Sequence, residues 1–380
     1  MSVMDIAAKL TPRSRQLRRI AITDIIIYVI GLGLLLWVVA RLAQTLTSGA
    51  YSVENLIRDM IAGLAQGGVY ALIALGYTLV YGILFMINFA HSEVFMAGAY
   101  IGYFVIIALS QSGALASQTL LALLVVFAVA MLASVTVAVA LERVAYRPLR
   151  KAPRLVPLIT AIGASIFLQQ AFRGLFGSNT KVYPDVHFYA FPQLFGHLEG
   201  GKGIDLTGGL YQTQVLGVAL NIQPLQFVIF FTSVAIMAGL SVFVKRTKTG
   251  KAMRAVAEDK DTAALMGINV DRVIVNTFIL GAALAAVAGV MYGLYFKQVT
   301  HTMGFIPGIK AFTAAVLGGI GNIPGAMLGG FALGLTESAA PSLLSINPQL
   351  KDVIAFTMLV LVLIFRPTGI LGEVLARKKA

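Results

Sequence analysis

Charged residues divide the chain into long apolar intervals. The first covers residues 25–40, and a much longer one covers residues 60–141, in which Glu93 is the single charged residue. A helix needs about 20 apolar residues to cross a bilayer, and a charge near the bilayer centre costs roughly 2.5–3.5 kcal/mol. The first interval therefore predicts one membrane span, and the second predicts about three or four more.

Further charge-free intervals predict spans at residues 155–172, 224–244, 273–296 and 353–365. Residues 311–336 also lack charge, but small and turn-forming residues interrupt them. The interrupting residues are Gly318, Gly319, Gly321, Asn322, Pro324 and Gly325. This interval predicts two short half-helices around a break. The predicted fold class is an all-α polytopic membrane protein with about eight or nine transmembrane helices plus broken or re-entrant half-helices.

Composition supports the membrane prediction. Of the 380 residues, 58% are hydrophobic and 12% are charged, whereas soluble domains are about 45–50% apolar and about 25% charged. A soluble globular protein is therefore excluded. The chain has no cysteine, which excludes disulfides, thiolate metal ligands and thiol catalysis. The net charge of +13 does not indicate nucleic-acid binding, because the basic residues lie in short clusters between apolar runs.

The basic clusters predict the orientation in the membrane. Lysine and arginine concentrate in residues 9–19, 143–154, 245–260 and 366–379, whereas the polar loop 174–223 carries few of them. Because basic loops stay on the cytoplasmic side, both termini are expected in the cytoplasm and loop 174–223 outside. Residues 1–50 are expected to form a basic leader and an extra N-terminal helix, retained as an anchor in preference to cleavage as a signal peptide.

Sequence signatures of an enzyme are missing. Gly250-Lys251 lacks the upstream glycine of a phosphate-binding loop, and neither it nor Gly201-Lys202 is followed by the required serine or threonine. Residues 163–165 resemble the start of a nucleophile elbow, but Phe167 stands where glycine is needed. The sequence therefore predicts a protein without catalytic residues.

A polar island interrupts the longest apolar interval. Asn88, His91 and Glu93 lie in the sequence INFAHSE, at an expected helix break. Ionisable groups within a membrane usually face a bundle interior or an aqueous cavity. Two readings stay open: the island faces a cavity, or it lies hydrated at the membrane interface. A metal site is disfavoured, because His91 and Glu93 alone provide too few ligands.

The cytoplasmic segment 245–270 carries a short helix. Residues 255–266 are good helix formers, and Gly267 is expected just past the helix end, where a left-handed conformation suits glycine. Asp271 is expected to cap the following helix. Such a helix between two spans suits docking of a cytosolic partner, although an ordinary solvated loop helix has the same pattern.

Six segments together resemble the permease family of branched-chain amino acid ABC importers, and most of all its H-type subunits. They are residues 70–100, ERVAYRPLR, TAIGASIFLQ, residues 257–273, residues 309–330 and RPTGILG. The resemblance covers roughly residues 56–372 and leaves the extra N-terminal helix outside. It implies a multi-pass protein of the bacterial inner membrane. The implied partners are a second homologous permease, two cytosolic ATPases and a periplasmic substrate-binding protein. ATP and magnesium would bind the ATPases, with no cofactor on this chain.

The resemblance also implies where the functional residues lie. The expected coupling residues, which would seat in a groove of an ATPase, are Glu258, Asp259, Asp261, Ala263, Ala264, Gly267 and Ile268. Their acidic members would meet basic groups of the ATPase. The residues expected on the translocation path are Asn88, His91, Glu93, Thr313 and Glu337.

Rival functions remain at the level of sequence. The nearest is an ABC permease for urea, short amides or other neutral amino acids. A self-sufficient secondary transporter or channel is a second class of protein, for which Glu93 and Glu337 would have to form an ion-coupling pathway. An integral-membrane enzyme is the third. Dependence of transport on partner chains separates an ABC permease, whichever solute it carries, from a self-sufficient transporter and from an enzyme.

Overall fold

The computed structural model describes residues 33, 36–45, 47–49, 51–150, 152–153, 155–188, 204–207, 211–215, 218–366 and 368–372. The chain forms two compact units. The first comprises Met1–Tyr51 with Leu343–Ser345, and the second comprises Ser52–Ser342 with Ile346–Ala380. Within the first unit, residues 36–45 are helical. Most of the predicted first span and the basic leader lie outside the described residues.

The described part of the second unit is mainly helical. Its α-helices are α1 (Val53–Leu84), α2 (His91–Gln111), α3 (Ala114–Ser117), α4 (Thr119–Leu141), α5 (Leu155–Phe176), α6 (Pro224–Arg246), α7 (Lys248–Glu258), α8 (Lys260–Leu265), α9 (Val270–Phe296), α10 (Phe305–Gly318), α11 (Ile323–Leu343) and α12 (Lys351–Phe365). A π-helix, Glu142–Tyr146, and a 3₁₀ helix, Arg147–Leu149, extend α4. A second 3₁₀ helix, Pro348–Leu350, precedes α12.

Seven helices of the described residues are long and apolar enough to cross a membrane. They are α1, α2, α4 with its extension, α5, α6, α9 and α12 with the preceding turn. Three of them, α1, α2 and α4, occupy the long interval around Glu93, for which three or four spans were predicted. The all-α polytopic fold is thereby confirmed. Helix α6 begins at Pro224, as predicted.

Helices α1, α9 and α2 form the centre of the bundle. Their most apolar stretches are 83%, 72% and 61% buried, whereas those of the other spans are at most 28% buried. Ser52 caps α1 by accepting a hydrogen bond from the Asn55 N–H at 3.2 Å. An exposed apolar face on an outer helix suits lipid or a partner subunit, because neither requires polar atoms. The sites that matter for solute are therefore expected around the three central helices.

Glycines bring α1 and α11 into direct backbone contact. A Cβ atom on Gly67 would lie 2.8 Å from the Cα of Phe331, and one on Gly334 would lie 2.3 Å from the N of Gly67. Larger residues would force the helices apart, so this contact depends on small residues spaced one turn apart.

The predicted break in residues 311–336 lies between α10 and α11. Gly319 and Gly321 have φ angles of +107° and +95°, conformations that favour glycine. Asn322 accepts a hydrogen bond from the Gly325 N–H at 3.0 Å, near the start of α11 where Pro324 also lies. The prediction of two short half-helices is wrong for the second, since α11 has 21 residues. Its apolar run simply continues past Glu337.

The C-terminal segment covers this second break. The Ile370 N–H donates to the Leu317 carbonyl at 2.8 Å, and the Leu371 N–H donates to the Gly318 carbonyl at 3.0 Å. These are carbonyls at the end of α10, which the helix itself leaves without partners. The resembling motifs at residues 309–330 and RPTGILG therefore form one structural unit.

Short strands shape the region between α5 and α6. The antiparallel pairs are Lys181–Val182 with Gln298–Val299, His187–Phe188 with Ile204–Asp205, and Tyr211–Val215 with Val218–Ile222. The first pair ties this loop to the end of α9, where Lys297 forms an ion pair with Asp185. The hydrogen bond from Lys297 holds the pKa of Asp185 below its ordinary value. These residues fall in loop 174–223, which the sequence predicted only as a polar external loop.

Candidate functional site

The first helix break folds the chain back into the bundle. Helix α1 ends before Phe85, which has a left-handed φ of +54°, and α2 begins at His91. The His91 ring meets the Tyr77 ring edge-on, with centroids 5.0 Å apart. A Cβ atom on Gly76 would lie 2.1 Å from His91 Nε2. Because Gly76 lies about two turns before the end of α1, α2 starts inside the bundle.

Glu93 lies at this start of α2 and is completely buried. Its Oε1 atom accepts hydrogen bonds from Gln169 Nε2 at 2.8 Å, Ser165 Oγ at 3.0 Å and Ser92 Oγ at 3.3 Å. Its Oε2 atom is buried and has no hydrogen-bond partner among the described residues. No basic side chain of the described residues forms a salt bridge with Glu93. A buried carboxylate normally has a cationic partner, so Glu93 is unusual.

A cavity of about 620 Å³ adjoins the Glu93 cluster. Its lining residues come from α1, the first break, α2, α5 and the start of α10: Tyr77, Phe89, Ser92, Ile162, Ser165, Ile166, Gln169, Thr302, Phe305, Ile306 and Ile309. The walls are mainly apolar, with polar groups at Ser92, Ser165, Gln169 and Thr302. The rim between α5 and α10 is open, since Ile166 and Phe305 are 55% and 51% exposed. This volume lies in the range of small-molecule sites.

Helix α5 supplies two polar groups that the sequence analysis did not single out. Ser165 and Gln169 are four residues apart and therefore share one face of α5. Both donate to Glu93 and both line the cavity. Two polar residues at this spacing in an apolar span are the signal that would have identified them.

The five predicted path residues divide into separate places. Asn88, His91 and Glu93 lie together at the first break and are buried. Thr313 is buried on α10, and its hydroxyl donates to the Ile309 carbonyl of the same helix at 2.9 Å. None of the five lines the cavity directly. Glu93 reaches it through Ser92, Ser165 and Gln169, while Glu337 lies in a different cluster.

Glu337 has the cationic partner that Glu93 lacks. The Lys310 Nζ atom lies 2.6 Å from Glu337 Oε1, and Gln66 Nε2 donates to the same oxygen at 3.1 Å. Lys310 also lies 2.5 Å from a carboxylate oxygen of Asp352. The Lys310 and Glu337 side chains are almost completely buried. The cluster joins α10, α11, α12 and α1, and we name these four residues the Lys310 cluster.

A second polar contact links the first break to α4. Asn88 is buried and accepts a hydrogen bond from the Tyr146 hydroxyl at 2.6 Å. Tyr146 lies in the π-helix that extends α4, a distortion that is common at functional positions. Next to it, Arg150 forms ion pairs with Glu142 and with Asp271 at the start of α9. The end of α4 and the start of α9 are thus held together.

Segment 245–270 contains two helices where the sequence predicted one. The predicted helix 255–266 is wrong, because Asp259 has extended backbone and its side chain caps α8, accepting from the N–H groups of Asp261 and Thr262. The predicted cap at Asp271 is also wrong. Asn269 caps α9 and accepts from the Arg272 N–H at 2.9 Å. In both cases a side chain closer to the turn reaches the free backbone groups first.

The turn after α8 places apolar side chains in solvent. Gly267 has a φ of +83°, so the prediction of a left-handed glycine there is confirmed. Leu265 and Met266, just before it, are 88% and 79% exposed. Of the other predicted coupling residues, Ala263 is buried, Ile268 is partly buried, and Glu258, Asp261 and Ala264 are exposed. The tip of the segment therefore combines two apolar side chains with acidic ones.

Segment 245–270 also contacts the first break. The Lys260 Nζ atom lies 5.9 Å from the centre of the Phe85 ring. Burial and the nearby Arg150 charge lower the pKa of Lys260 below its ordinary value. The first residue of α8 therefore lies against the residue that ends α1.

Comparisons with known proteins found a matching family and similar proteins. The family model described as "Branched-chain amino acid transport system / permease component" matches residues 60–363. A Pseudomonas aeruginosa protein named "High-affinity branched-chain amino acid transport system permease protein BraD" is 44% identical over 321 residues, which cover 84% of this chain and 97% of that protein.

Two enterobacterial relatives carry the corresponding name with LivH in place of BraD. The Salmonella typhimurium protein is 45% identical over 317 residues, and the Escherichia coli K12 protein is 44% identical over 323 residues. Both alignments cover 83% of this chain and 96% of the relative. No solved structure matches the chain.

Proposed function

Since this chain belongs to the branched-chain amino acid transport permease family, we propose that it forms the membrane path by which an ABC importer moves leucine, isoleucine and valine into the cell. The first break and its cavity would be part of that path. The observation that carries the proposal is a cavity with apolar walls and a buried, unpaired carboxylate beside it. Branched aliphatic side chains need apolar walls, and the charged end of an amino acid needs polar groups.

Asn88, His91 and Glu93 would shape the path from behind its wall, and Ser92, Ser165 and Gln169 would face the solute. Thr313 would support the wall through α10, because its hydroxyl is directed to its own helix. We assign Glu337 to helix packing, since Lys310 and Gln66 already occupy its Oε1 atom. This assignment replaces the role on the path that the sequence suggested for Glu337.

The segment 245–270 would couple this chain to a cytosolic ATPase. Leu265 and Met266 would enter an apolar groove of that subunit, and Glu258 and Asp261 would meet basic groups at its edge. Burying two such side chains contributes roughly 3–6 kcal/mol before the entropy of association is subtracted. ATP and magnesium would bind the ATPases, and their closure would move α8 against Phe85 and so displace the first break.

A second, homologous permease would cover the open rim of the cavity. The rim between α5 and α10 exposes apolar side chains beside polar cavity groups, and lipid offers no partners for those groups. The complete importer would contain two permeases, two ATPases and a periplasmic binding protein in the bacterial inner membrane. Both termini of this chain would lie in the cytoplasm.

Purification from the native membrane tests the proposal. The chain is extracted in mild detergent, and co-purifying proteins are identified by mass spectrometry. We expect two ATPases and a second permease. Leu265→Asp should lower the amount of co-purified ATPase at least tenfold, because it places a charge in the docking groove. Val182→Asp, at an exposed apolar position on the opposite side, is the matched control and should retain them. Recovery of the chain alone, with leucine uptake by that chain in liposomes, would contradict the proposal.

A further inference from the structure

The hydrogen bonds around Glu93 determine which atoms face the cavity. Ser165 and Gln169 direct a hydroxyl and an amide hydrogen toward Glu93 Oε1. The Ser92 Oγ atom lies 2.7 Å from the Phe89 carbonyl oxygen and 3.3 Å from Glu93 Oε1. A hydroxyl has one hydrogen and two acceptor lone pairs. The Ser165 hydrogen is directed to Glu93 and the Ser92 hydrogen is shared between Phe89 and Glu93, so both oxygens keep lone pairs, with Gln169 Nε2 3.5 Å from the Ser165 oxygen. Gln169 bonds Glu93 through its nitrogen, which leaves its amide oxygen free of Glu93. These three residues therefore present acceptors.

The charge of Glu93 strengthens these acceptors. Gln169, Ser165 and, at the longest distance, Ser92 offer hydrogens to one of its oxygens and partly offset the cost of burying its charge, and a cation held in the cavity would favour the carboxylate further. Among the described residues no cation balances that charge, and Oε2 has no hydrogen-bond partner. Donors polarised by an anion become better acceptors on their other side. A cluster of this kind binds a cationic group with several N–H donors better than it binds an anion or an apolar group.

The surroundings limit the kind of cation. The remaining walls are apolar, with Ile162, Ile166 and Ile309 among them, so a metal ion or a polyamine would meet too few polar groups. A primary ammonium group on a short branched hydrocarbon matches both parts of the cavity. An ammonium group has three donors and no acceptor, which equals the number of acceptors offered by Ser92, Ser165 and Gln169.

We infer that Ser92, Ser165 and Gln169, backed by Glu93, form a binding site for the α-ammonium group of the transported amino acid. The site holds the solute during its passage through the membrane, after release from the binding protein. This inference rests on the proposed transport function. It assigns the amino group, and not the carboxylate, as the group that the permease recognises at this level of the path.

Transport by the complete importer in proteoliposomes is the first test. Glu93→Gln removes the charge and keeps the shape, so leucine uptake should fall at least tenfold while the binding protein still stimulates ATP hydrolysis. Glu93→Asp should recover part of the uptake. Ser165→Ala should reduce uptake severalfold. Ser134→Ala is its matched control, because Ser134 is equally buried but donates to the Val94 carbonyl, at 2.9 Å and away from the cavity. It should transport normally.

Ligand chemistry is the second test. Thermal unfolding of the purified importer without binding protein is followed with leucine, 3-methylbutylamine or 4-methylpentanoate. The amine lacks the carboxylate of leucine, and the acid lacks its ammonium group. Leucine and the amine should raise the unfolding midpoint of the wild type and of Ser134→Ala, and the acid should not. Glu93→Gln should lose the response to both.

Three results would overturn the inference. They are normal uptake by both Glu93→Gln and Ser165→Ala, equal stabilisation by the acid and the amine, and no stabilisation by leucine. If Glu93→Gln fails to assemble, the comparison of Ser165→Ala with Ser134→Ala decides the outcome. Failure of the proposed function has a different signature, in which the wild-type importer takes up none of leucine, isoleucine and valine.

Discussion

The two buried carboxylates of the membrane bundle have opposite surroundings. Glu93, at the start of α2, has three neutral donors, one unbonded oxygen and a cavity beside it. Glu337, on α11, has the ammonium group of Lys310 at 2.6 Å. Leaving a charge without a counterion is unfavourable in a low-dielectric interior. Such a charge is expected where a ligand supplies the missing partner, and a paired charge is expected where helices are held together.

The two helix breaks differ in the same way. The first break lies beside the cavity, and its residues Phe89 and Ser92 form part of the cavity wall. At the second break, the carbonyls of Leu317 and Gly318 bond to the C-terminal segment. The ends of broken helices are solute-binding positions in many transporters. Only the first lies beside the cavity, so a break in the sequence does not by itself indicate a binding site.

The largest expected effect follows from removing the cation of the Lys310 cluster. Lys310→Met leaves Glu337 buried without a partner and should destabilise the chain by roughly 3–5 kcal/mol. Thermal unfolding of the purified protein in detergent measures the loss. The double variant Lys310→Met/Glu337→Met should be more stable than the single one, because no buried charge is left unpaired at Glu337. A double variant less stable than Lys310→Met would show that the ion pair is not the relevant interaction.

The next effect compares the two carboxylates directly. Glu337→Gln leaves Lys310 with only Asp352 and should cost about 1–3 kcal/mol. Glu93→Gln should cost less than about 1 kcal/mol, since an amide oxygen can still accept from Ser165 and Gln169 and no cation loses its partner. The same unfolding assay ranks them. Greater destabilisation by Glu93→Gln would mean that Glu93 is the structural residue.

A smaller effect is expected at the link between the first break and α4. Tyr146→Phe removes the donor to Asn88 and should cost about 1 kcal/mol. Leucine-dependent ATP hydrolysis should also fall, because movement at the end of α4 is then no longer transmitted to Asn88 through this hydrogen bond. Tyr183→Phe, which removes a buried hydroxyl bond to the Ala99 carbonyl away from the first break, is the control for loss of a hydrogen bond. Equal ATP hydrolysis in both variants would argue against a role of Tyr146 in coupling.

The smallest effect is expected at an exposed ion pair far from both carboxylates. The pKa of Asp185 is lower in the folded chain than its ordinary value, chiefly because Lys297 donates to it. Its contribution is therefore present above the ordinary aspartate pKa and is lost as the pH falls through the lowered value. Asp185→Asn should change stability at pH 7 by less than about 1 kcal/mol. The difference from wild type should disappear in acid, and a difference that grows in acid would contradict this.

Sequence patterns predicted the features that depend on composition along the chain. Apolar intervals located α1, α2 and α4, and the residue preferences of turns located Gly267. Side-chain partners were harder to predict, because they depend on contacts between distant segments. Lys310 looked like the boundary of an apolar interval, yet it is buried against Glu337, 27 positions away. Ser165 and Gln169 looked like ordinary helix residues until α5 was placed beside Glu93.

Leucine uptake per assembled importer tests the central distinction most directly. Wild type, Glu93→Gln and Glu337→Gln are reconstituted with all partner chains, and uptake is divided by the amount of assembled complex. Glu93→Gln should assemble fully and lose at least nine tenths of its uptake. Glu337→Gln should assemble less well and keep most of its uptake per complex. Normal uptake by Glu93→Gln together with loss of uptake by assembled Glu337→Gln would contradict the account.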